Sequence, residues 1–406
     1  MLKKPLSVPE GPGKSDEEIE EAAIQHLADL ALQFAAAQRR GTTSADLTQA
    51  QADCQRLLRK TLAQDQDDIL YEALDRCRYA DIDAYLWLKD AIEEAASVAL
   101  IRGQAGQQFE INAFLIPLFA HSTGGLERDK NFQNQQAFDR LTKSFTEAGL
   151  ESPTARVVLV NHAYPLEQID RITYCQLSSM VREAYASMTN AKMAAAPAIA
   201  ASIGEWQESD FGPEDSAIEL RFLLGFALKT EDDPFYLPPA DDAGSDAYFS
   251  AREKSFQVWT EKMTAIVQNC LGMDEKKSDV HFMYQDLFHG AKETAIAEWS
   301  MLEMMAQLNQ GLQSHDLTAA DSEAAMAIIE QEGDALVQVN LYSRALHLLL
   351  AQVDMPLAIA ADLTTLLADI NDALGTVGIT AVHFADGFDA NNQPLGLRPF
   401  ELGNIT

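Results

Sequence analysis

The sequence predicts a mixed α/β protein, in which an N-terminal helical region precedes a mixed sheet with helices. Two observations predict this class. Over the first hundred residues, apolar side chains recur every three or four positions, which is the period of a helix. After Phe109, short runs rich in β-branched and aromatic residues alternate with amphipathic stretches of helix length. With 47% hydrophobic and 23% charged residues, the chain of 406 residues can form a packed core.

Four helices are predicted in the N-terminal region. Ser15-Asp-Glu-Glu18 fits a capping box, in which the Ser and Glu side chains accept hydrogen bonds from exposed backbone N–H groups. Gly41 predicts the end of the first helix. The other three are predicted over residues 45–62, 67–78 and 82–101. The aromatic residues of this region are expected to pack between helices, and they are Tyr71, Tyr79, Tyr85 and Trp87.

Strands and helices alternate in the rest of the chain. The predicted strands are 113–121, 156–164, 219–229, 279–288, 335–344 and 380–388. The predicted helices lie near 132–148, 166–189, 245–271, 290–311, 321–331 and 358–375. A final hairpin is predicted after Phe388, because residues 389–394 have turn chemistry and residues 397–402 could pair back.

The predicted organisation has three parts. They are a flexible arm over residues 1–14, a helical region over 15–105 and an α/β body over 106–406, with C-terminal strands in 335–406. Within the body, the order strand, long loop, helix, strand, helix occurs twice, in residues 109–190 and 217–312. This order predicts an internal duplication of a β-α-β-α unit, with coincidence as the alternative.

Three short matches accompany the repeated order. Phe114-Leu-Ile corresponds to Phe222-Leu-Leu, and Phe138-x-x-Leu-Thr to Phe256-x-x-Trp-Thr; the third match aligns Val157-x-Leu159 with Val280-x-Phe282. Two copies could form one sheet with pseudo-twofold symmetry. A cleft between them would then be the natural ligand site.

The charge of the chain excludes several classes of partner. With 30 Lys and Arg residues against 62 Asp and Glu residues, the formal net charge is −32. Because phosphate groups are bound by Lys and Arg, a field this negative repels nucleic acid and anionic lipid. The sequence therefore predicts no nucleic-acid partner and no membrane partner.

A cytoplasmic location is expected from three features. Pro5 and Pro9 interrupt any apolar region of a leader, and the most apolar stretch, residues 193–203, is too short to cross a bilayer. The four cysteines lie far apart without metal or redox spacing, so they are expected to be reduced and buried. They are Cys54, Cys77, Cys175 and Cys270.

The strongest candidate site lies where a predicted strand ends and a helix begins, at residues 284–294. A helix N-terminus presents unpaired N–H groups, and Gly290 permits close approach of a ligand. Lys292 and Thr294 could complete a phosphate or carboxylate pocket, with His289 and Asp286 as catalytic acid and base. The alternative is that Gly290 serves the turn, Lys292 is solvated and His289 packs locally.

Two further histidines follow predicted strands. His162 and His121 are candidate ligand-binding residues, because α/β proteins place ligands at strand ends. A structural role for each histidine is the alternative, since eight histidines are scattered over the chain.

No complete cofactor or catalytic motif is present. Residues 10–15 end like a phosphate-binding loop, but Val8 replaces the first required Gly and Pro12 removes a donor. The histidines lack paired metal spacing, and the acidic loop 231–246 departs from the EF-hand pattern. The sequence therefore predicts no metal and no cofactor.

Three segments carry a resemblance to a known family. They are R-F-L-L-G-F-A-L at 221–228, D-P-F-Y at 233–236 and Y-Q-D-L-F-H-G at 284–290. With them, the chain after the helical region resembles an uncharacterised bacterial protein family of unknown function. The resemblance implies no activity, cofactor or site residue.

Three functional hypotheses follow. The first is a non-catalytic protein that binds a protein or small-molecule partner, because no catalytic motif is complete. The second is an enzyme that acts on an anionic small molecule through His289, Asp286 and Lys292 at a strand-end pocket. The third, an acidic mimic of nucleic acid, ranks last because the carboxylates are distributed along nearly every segment.

Overall fold

The computed structural model confirms the predicted mixed α/β class. It describes residues 15–41, 45–103, 106–122, 134–189, 218–270, 278–283, 287–331, 334–357, 359 and 362–401. The chain divides into two compact units, Met1–Lys292 and Glu293–Thr406. Helices precede a sheet in the first unit, and the second unit is built on another sheet.

Four helices open the first unit: α1 (Asp16–Arg39), α2 (Ala45–Ala63), α3 (Asp67–Ala80) and α4 (Ile82–Ser97). The predicted capping box is confirmed, because Ser15 Oγ accepts from Glu18 N at 3.2 Å while Glu18 Oε2 accepts from Ser15 N at 3.0 Å. Asp81 caps α4 by accepting from the N–H groups of Asp83 and Ala84. Each helix buries one leucine completely at the helix interfaces, namely Leu27, Leu58, Leu70 and Leu88.

The predicted fourth helix is wrong at its C-terminal end. α4 ends at Ser97, and Val98–Arg102 forms strand β1. β1 pairs antiparallel with β2 (Gln108–Ser122), with Val98 opposite Asn112. Pairing supplies hydrogen-bond partners for the backbone, and the β-branched Val98 and Ile101 suit a pleated surface. A contact between segments thus overrides the helical pattern.

The first sheet contains β1, β2, β3 (Arg156–Pro165), β4 (Ile218–Thr230) and β5 (Ser278–Phe282). β2 pairs antiparallel with β4 from Phe109 opposite Thr230 to His121 opposite Ile218. β3 lies on the other side of β4, while β1 and β5 both pair with β2. The predicted strand 279–288 is too long, because β5 ends at Phe282 and a helix begins at Phe288.

Helices α5 (Gln135–Glu147) and α8 (Asp242–Cys270) pack on one face of this sheet. Trp259 of α8 is completely buried in their shared core, where its Nε1 donates a hydrogen bond to Ser144 Oγ of α5 at 2.7 Å. The indole N–H of Trp259 therefore has a hydrogen-bond partner, although the side chains around it are mainly apolar.

The single helix predicted over 166–189 is two helices, α6 (Leu166–Asp170) and α7 (Tyr174–Thr189). A capping box explains the break. Thr173 Oγ1 accepts from Gln176 N at 3.2 Å, and Gln176 Oε1 accepts from Thr173 N at 3.1 Å. These reciprocal hydrogen bonds start a new helix at the point where the first one ends.

The elements β2-α5-β3 and β4-α8-β5 form a split β-α-β arrangement, as in ferredoxin-like folds, with the strand order β5-β2-β4-β3. Phe138 and Phe256, which the sequence matches to each other, lie in one core. The match of Phe114 to Phe222 is out of phase, because Phe114 and Leu223 share that core and adjacent strand residues face opposite sides. Duplication itself stays a prediction.

Helix α9 (Phe288–Ser314) begins in the first unit, and its residues from 293 onward belong to the second unit. Its other elements are β6 (Ser322–Gln331), β7 (Asp334–Ser343), β8 (Leu349–Pro356), α10 (Leu363–Thr376), β9 (Val382–Phe384), β10 (Gly387–Phe388), β11 (Pro394–Leu395) and β12 (Arg398–Pro399). The sheet order is β12-β9-β6-β7-β8, and β9 runs parallel to β6. α9 and α10 bury their apolar residues against one face of this sheet.

The helix predicted over 321–331 is wrong, because these residues form strand β6. Alanine, glutamate and methionine favour a helix locally. β6 nevertheless lies between β7 and β9, with Ala324 and Met326 in the core and Ala325 and Ala327 buried on the other face. Burial on both faces removes the alternation of polar and apolar residues that indicates a strand.

The predicted C-terminal hairpin is confirmed at its turn. β10 pairs with β11, and Asp389 Oδ1 accepts hydrogen bonds from Asn391 N and Gln393 N, each at 2.8 Å. The return strand is different from the prediction, because β12 pairs with β9 rather than with the strand before the turn. Strand β8 was not predicted.

Membrane-crossing helices are not found among the described residues, since none of these helices is long and apolar enough. The prediction of no span is confirmed for that part of the chain. The apolar stretch 193–203 lies outside the described residues.

A substitution at Gly225 tests how closely the backbone of β4 packs against side chains of β2 and β3. A Cβ at this position would lie 2.8 Å from Leu159 Cδ2 and would overlap the ring of Phe114. We expect Gly225→Ala to lower the free energy of unfolding by about 1–3 kcal/mol, measured by urea denaturation. The control is Gly375→Ala in α10, where a Cβ meets nothing within 4 Å and stability should be unchanged or higher. An unchanged urea midpoint for Gly225→Ala would contradict this packing.

Candidate functional site

Phe34 of α1 and Trp87 of α4 form an aromatic stack in the helical region. Their ring centroids lie 4.2 Å apart with an angle of 10° between the ring planes. Both side chains are half-buried, and Trp87 packs between helices as predicted, since its partner in the stack belongs to α1. Because this aromatic surface is partly accessible, it marks a candidate binding site.

Two pockets adjoin this stack. The first has a volume of about 200 Å³ and lies among α2, α4 and β1. The second has a volume of about 490 Å³ and lies between α1 and α4. Trp87 and Asp90 line both pockets, so we call the two together the tryptophan groove.

The lining of the tryptophan groove includes the carboxylates of Asp83, Asp90 and Glu94 and the guanidinium groups of Arg39 and Arg59. Arg39 forms ion pairs with Asp81 and, at 3.5 Å, with Asp83, and its guanidinium holds the pKa of Asp81 below the usual range. Asp90 and Glu94 have no ion-pair partner among the described residues. The lining therefore holds one carboxylate more than it holds cations, and an aromatic surface with this excess of negative charge is a suitable environment for a cation with an apolar stem.

A sequence signal for this groove exists and was missed. Asp83, Trp87, Asp90 and Glu94 are spaced by four, three and four residues, which places them along one face of α4. The sequence predicts that Tyr79 and Trp87 both pack between helices. Tyr79 is in fact 87% exposed, and Trp87 lines the groove.

His289, the predicted catalytic histidine, lies in the first turn of α9 and packs in the first unit. Its Nδ1 is 3.7 Å from Glu93 Oε1, and its ring centroid is 5.8 Å from that of Tyr174. Burial, together with the charges of Lys292 and Lys89, lowers the pKa of His289 to about 3. His289 is therefore neutral at pH 7.

The other residues of the predicted anion pocket are placed differently. Gly290 lies inside the first turn of α9 rather than in a loop. Lys292 Nζ is 3.3 Å from Asp170 Oδ1, so its charge is paired within the protein. Thr294 is exposed on the helix, and Asp286 lies outside the described residues.

The two strand-end histidines lie on different strands. His162 is in an irregular part of β3, and its ring centroid is 4.4 Å from that of Tyr164. His121 is exposed at the end of β2. β4 lies between β2 and β3, whereas His289 contacts side chains of α4 and α7. The structure thus groups His289 with Lys292 and places His162 and His121 in the sheet.

A cluster that the sequence did not predict joins α3 to α7. One ligand atom each from Asp65, Asp67 and Cys175 lies within 4.8 Å of the others. Asp67 Oδ1 also accepts from Cys175 N at 3.0 Å. Burial, together with the Asp67 charge, raises the pKa of the Cys175 thiol to about 12, so this thiol is protonated at neutral pH. Cys54, Cys77 and Cys270 are likewise buried and free.

The acidic loop 231–246 is held against the α5–β3 connection. Asp233 Oδ2 accepts from Ser152 Oγ at 2.6 Å and from Thr154 Oγ1 at 2.9 Å. The Ser152 hydrogen bond is the main reason that the pKa of Asp233 is lowered. Tyr236 OH donates to Glu151 Oε2 at 2.6 Å and accepts from Ser152 N at 3.1 Å. These carboxylates anchor the loop.

No family model matches the chain, and neither a curated protein nor a solved structure matches it. The candidate sites are therefore defined by the chemistry and geometry of their own residues.

His289 makes the stability of the fold sensitive to acid. Its folded-state pKa of about 3 lies below the ordinary value of 6.5, so between these values only the unfolded chain binds the proton. Stability is fully present above pH 6.5 and falls as the pH decreases toward 3, by up to about 1.4 kcal/mol per pH unit. We expect urea denaturation across this range to give a shallower pH dependence for His289→Phe than for the wild type. The exposed control His281→Phe should keep the wild-type slope, and equal slopes for all three proteins would contradict the burial of a neutral imidazole.

Removal of the Tyr236 hydroxyl tests whether its hydrogen bonds hold the acidic loop in place. We expect Tyr236→Phe to lower the free energy of unfolding by about 1–3 kcal/mol, because Glu151 and the Ser152 N–H both lose a hydrogen-bond partner. The measurement is urea denaturation beside Tyr79→Phe, whose hydroxyl belongs to an exposed side chain. Equal losses for the two variants would show that the loop is not held in this way.

Proposed function

We propose that this protein is a non-catalytic binding protein whose tryptophan groove binds a basic, partly apolar segment of a partner protein. The observation that carries the proposal is the half-buried Phe34–Trp87 stack beside two carboxylates that have no ion-pair partner among the described residues. In typical protein interfaces a few anchors, often Trp, Tyr or Arg, become fully desolvated on binding and carry most of the binding energy.

The size of the groove favours a peptide segment over a bound cofactor. The pocket among α2, α4 and β1, at about 200 Å³, is smaller than pockets that enclose drug-sized ligands, which are roughly 300–1,000 Å³. It suits one inserted side chain. The adjoining pocket, at about 490 Å³, is open and lies along α1 and α4, where the next residues of the same segment could bind.

The net charge supports a basic partner. A formal charge of −32 attracts a cationic segment over long range and accelerates its association, with an effect that salt weakens. A Lys or Arg side chain placed on Trp87 could interact with the indole face and pair with Asp90 or Glu94. The same charge repels nucleic acid and anionic membranes, so neither is proposed as a partner.

A cytoplasmic location is part of the proposal. It is supported by the four cysteines, which are all free and buried, since cytosolic conditions keep thiols reduced. Their raised pKa values make them unreactive packing residues rather than nucleophiles.

The enzyme hypothesis is the second candidate. His289 Nε2 is buried without a hydrogen-bond partner among the described residues, which is the observation that favours it. Against it, His289 is neutral and packed, and Lys292 is paired with Asp170. Turnover of phosphoesters, nucleotides or esters that is lost in His289→Ala would establish this function and displace the binding proposal.

Binding of a designed peptide tests the proposed function. The probe is a short amphipathic helical peptide of Leu and Lys, compared with a peptide of the same length in which Glu replaces Lys, by isothermal titration calorimetry on the full chain. We expect the Lys peptide to bind and Trp87→Ala to weaken it about tenfold or more, because truncation removes the aromatic anchor. Asp90→Asn with Glu94→Gln should weaken binding and reduce its dependence on salt.

Tyr79→Ala is the matched control, since Tyr79 is an exposed aromatic residue of the same helical region and lies outside the groove. It should bind the Lys peptide with wild-type affinity. Equal binding of both peptides, or equal affinity of Trp87→Ala and the wild type, would refute the groove as the site.

A further inference from the structure

Strand β1 forms an outer edge of the first sheet. It pairs with β2 on one side, and no strand among the described residues pairs with it on the other side. All five of its residues are at least partly exposed, and Leu100 is 51% exposed. An unpaired edge of this kind presents backbone N–H and C=O groups to which another strand can bind.

The hydrogen bonds beside β1 identify the residues whose backbone groups point to the open side. Gly103 N donates to Gln107 O at 2.8 Å, immediately beyond the β1–β2 ladder. Hydrogen-bonded and non-hydrogen-bonded pairs alternate in an antiparallel ladder, so every second residue back from Gly103 directs its backbone groups toward β2. The backbone groups of the residues between them, Val98, Leu100 and Arg102, therefore point to the open side.

A bond on the other side of β2 agrees with this assignment. Glu231 N donates to Gln108 O at 3.2 Å, which shows that the Gln108 carbonyl points toward β4. Gln108 lies opposite Arg102 in the β1–β2 ladder. This pair is therefore not hydrogen-bonded, and the backbone groups of Arg102 point away from β2.

Most of the outward groups of β1 are available. Val98 N is used within the fold, because it donates to Glu94 O at the end of α4. The N–H groups of Leu100 and Arg102 have no hydrogen-bond partner in the part of the chain that the structure describes. These two donors, together with the outward C=O groups beside them, can bind an extended backbone.

The other two outer strands of the first sheet are less suited to pairing. The register of β3 against β4 shifts between Leu159 and Ala163, and such an irregularity disrupts an edge. In β5, Val280 lies between residues that pair with β2 through their backbone groups, so its N–H points outward. That N–H already donates to Asp279 Oδ1 at 2.8 Å. β1 has a regular register instead.

The pocket among α2, α4 and β1, which is part of the tryptophan groove, lies at this edge. Val98 and Leu100 line the pocket, whereas Ala99 and Ile101 do not. The lining residues of β1 are thus among those whose backbone groups point to the open side. A strand that binds here finds backbone partners beside a pocket for a side chain, and strand addition uses the first for affinity and the second for specificity.

We propose that the partner segment bound by the tryptophan groove continues as an extended strand that pairs antiparallel with β1. The proposal rests on the proposed function for the partner and adds where and in which conformation the segment binds. The residue opposite Leu100 exchanges two backbone hydrogen bonds with it, and its side chain lies on the same face as the Leu100 side chain. An apolar side chain suits this position beside the pocket.

The charge of the chain favours a basic segment over a second copy of the protein as the occupant of the edge. The groove lining holds one carboxylate more than it holds cations, and the formal net charge is −32. A cationic segment is attracted by this charge, whereas two chains that both carry it repel each other.

Peptides with methylated backbone nitrogens test the proposal by isothermal titration calorimetry on the full chain. The probe is Lys-Val-Lys-Val-Lys-Val-Lys, compared with one peptide N-methylated at its three valines and another N-methylated at three lysines. Valine methylation should weaken binding about tenfold or more, because it removes the N–H groups that face β1. Lysine methylation should leave the affinity unchanged, because those N–H groups face solvent. The two methylated peptides have the same charge.

Leu100→Pro tests the edge on the protein itself. Proline has no backbone N–H, and it is tolerated on an edge strand where the N–H faces away from the ladder. We expect the β1–β2 pairing to persist and the Lys-Val probe to bind about tenfold more weakly. Leu100→Ala keeps the N–H, so it is the matched control and should lose less affinity. Circular dichroism of both variants separates loss of binding from loss of folding.

Three outcomes would overturn strand addition at β1. The first is equal affinity of the two methylated peptides, and the second is equal affinity of Leu100→Pro and the wild type for the unmodified probe. The third is a dimer of the chain alone, measured by light scattering, that becomes a monomer in Leu100→Pro, which would place a second copy at the edge. The proposed function fails separately, when Trp87→Ala and the wild type bind the helical Lys peptide equally.

Discussion

The antiparallel pairing of β2 with β4 is the constraint on which the first unit depends. These strands are buried on both faces, so their register decides which residues meet α5 and α8 and which face the opposite side. A slip by one residue would exchange the two faces and remove Phe114 and Leu223 from their shared core. The pairing also leaves one outer edge for β3 and the other for β1 and β5, which fixes the split β-α-β arrangement.

Acidic side chains outnumber basic ones in this chain, so many carboxylates have no basic side chain to pair with. Several of its cations form ion pairs with carboxylates, as Arg76 does with Glu21, Lys292 with Asp170 and the buried Arg221 with Glu219. Carboxylates outnumber these partners, so some remain available at the surface. The tryptophan groove combines such carboxylates with an accessible aromatic stack, and this combination distinguishes it from an ordinary solvated helix face.

The two faces of the second sheet differ in composition, since one is apolar and the other carries buried polar side chains. One face is closed by α9 and α10 over apolar side chains. The other carries a buried polar ladder, in which Gln338 donates to Asn340 at 3.1 Å and Asn340 donates to Tyr342 at 3.0 Å. Tyr342 in turn donates to the Asn392 carbonyl of the C-terminal hairpin. Because buried polar groups are costly unless paired, this ladder holds the face in one arrangement.

The sequence alone determined the mixed α/β class, the capping box at Ser15 and most helices and strands, because periodicity and caps are local properties. It could not determine β6, whose residues favour a helix until β7 and β9 pair with them. Nor could it determine the candidate site, because Phe34 meets Trp87 only after the chain has packed. Such contacts are decided by tertiary structure, since strand register and helix packing bring together residues whose local patterns carry no information about each other.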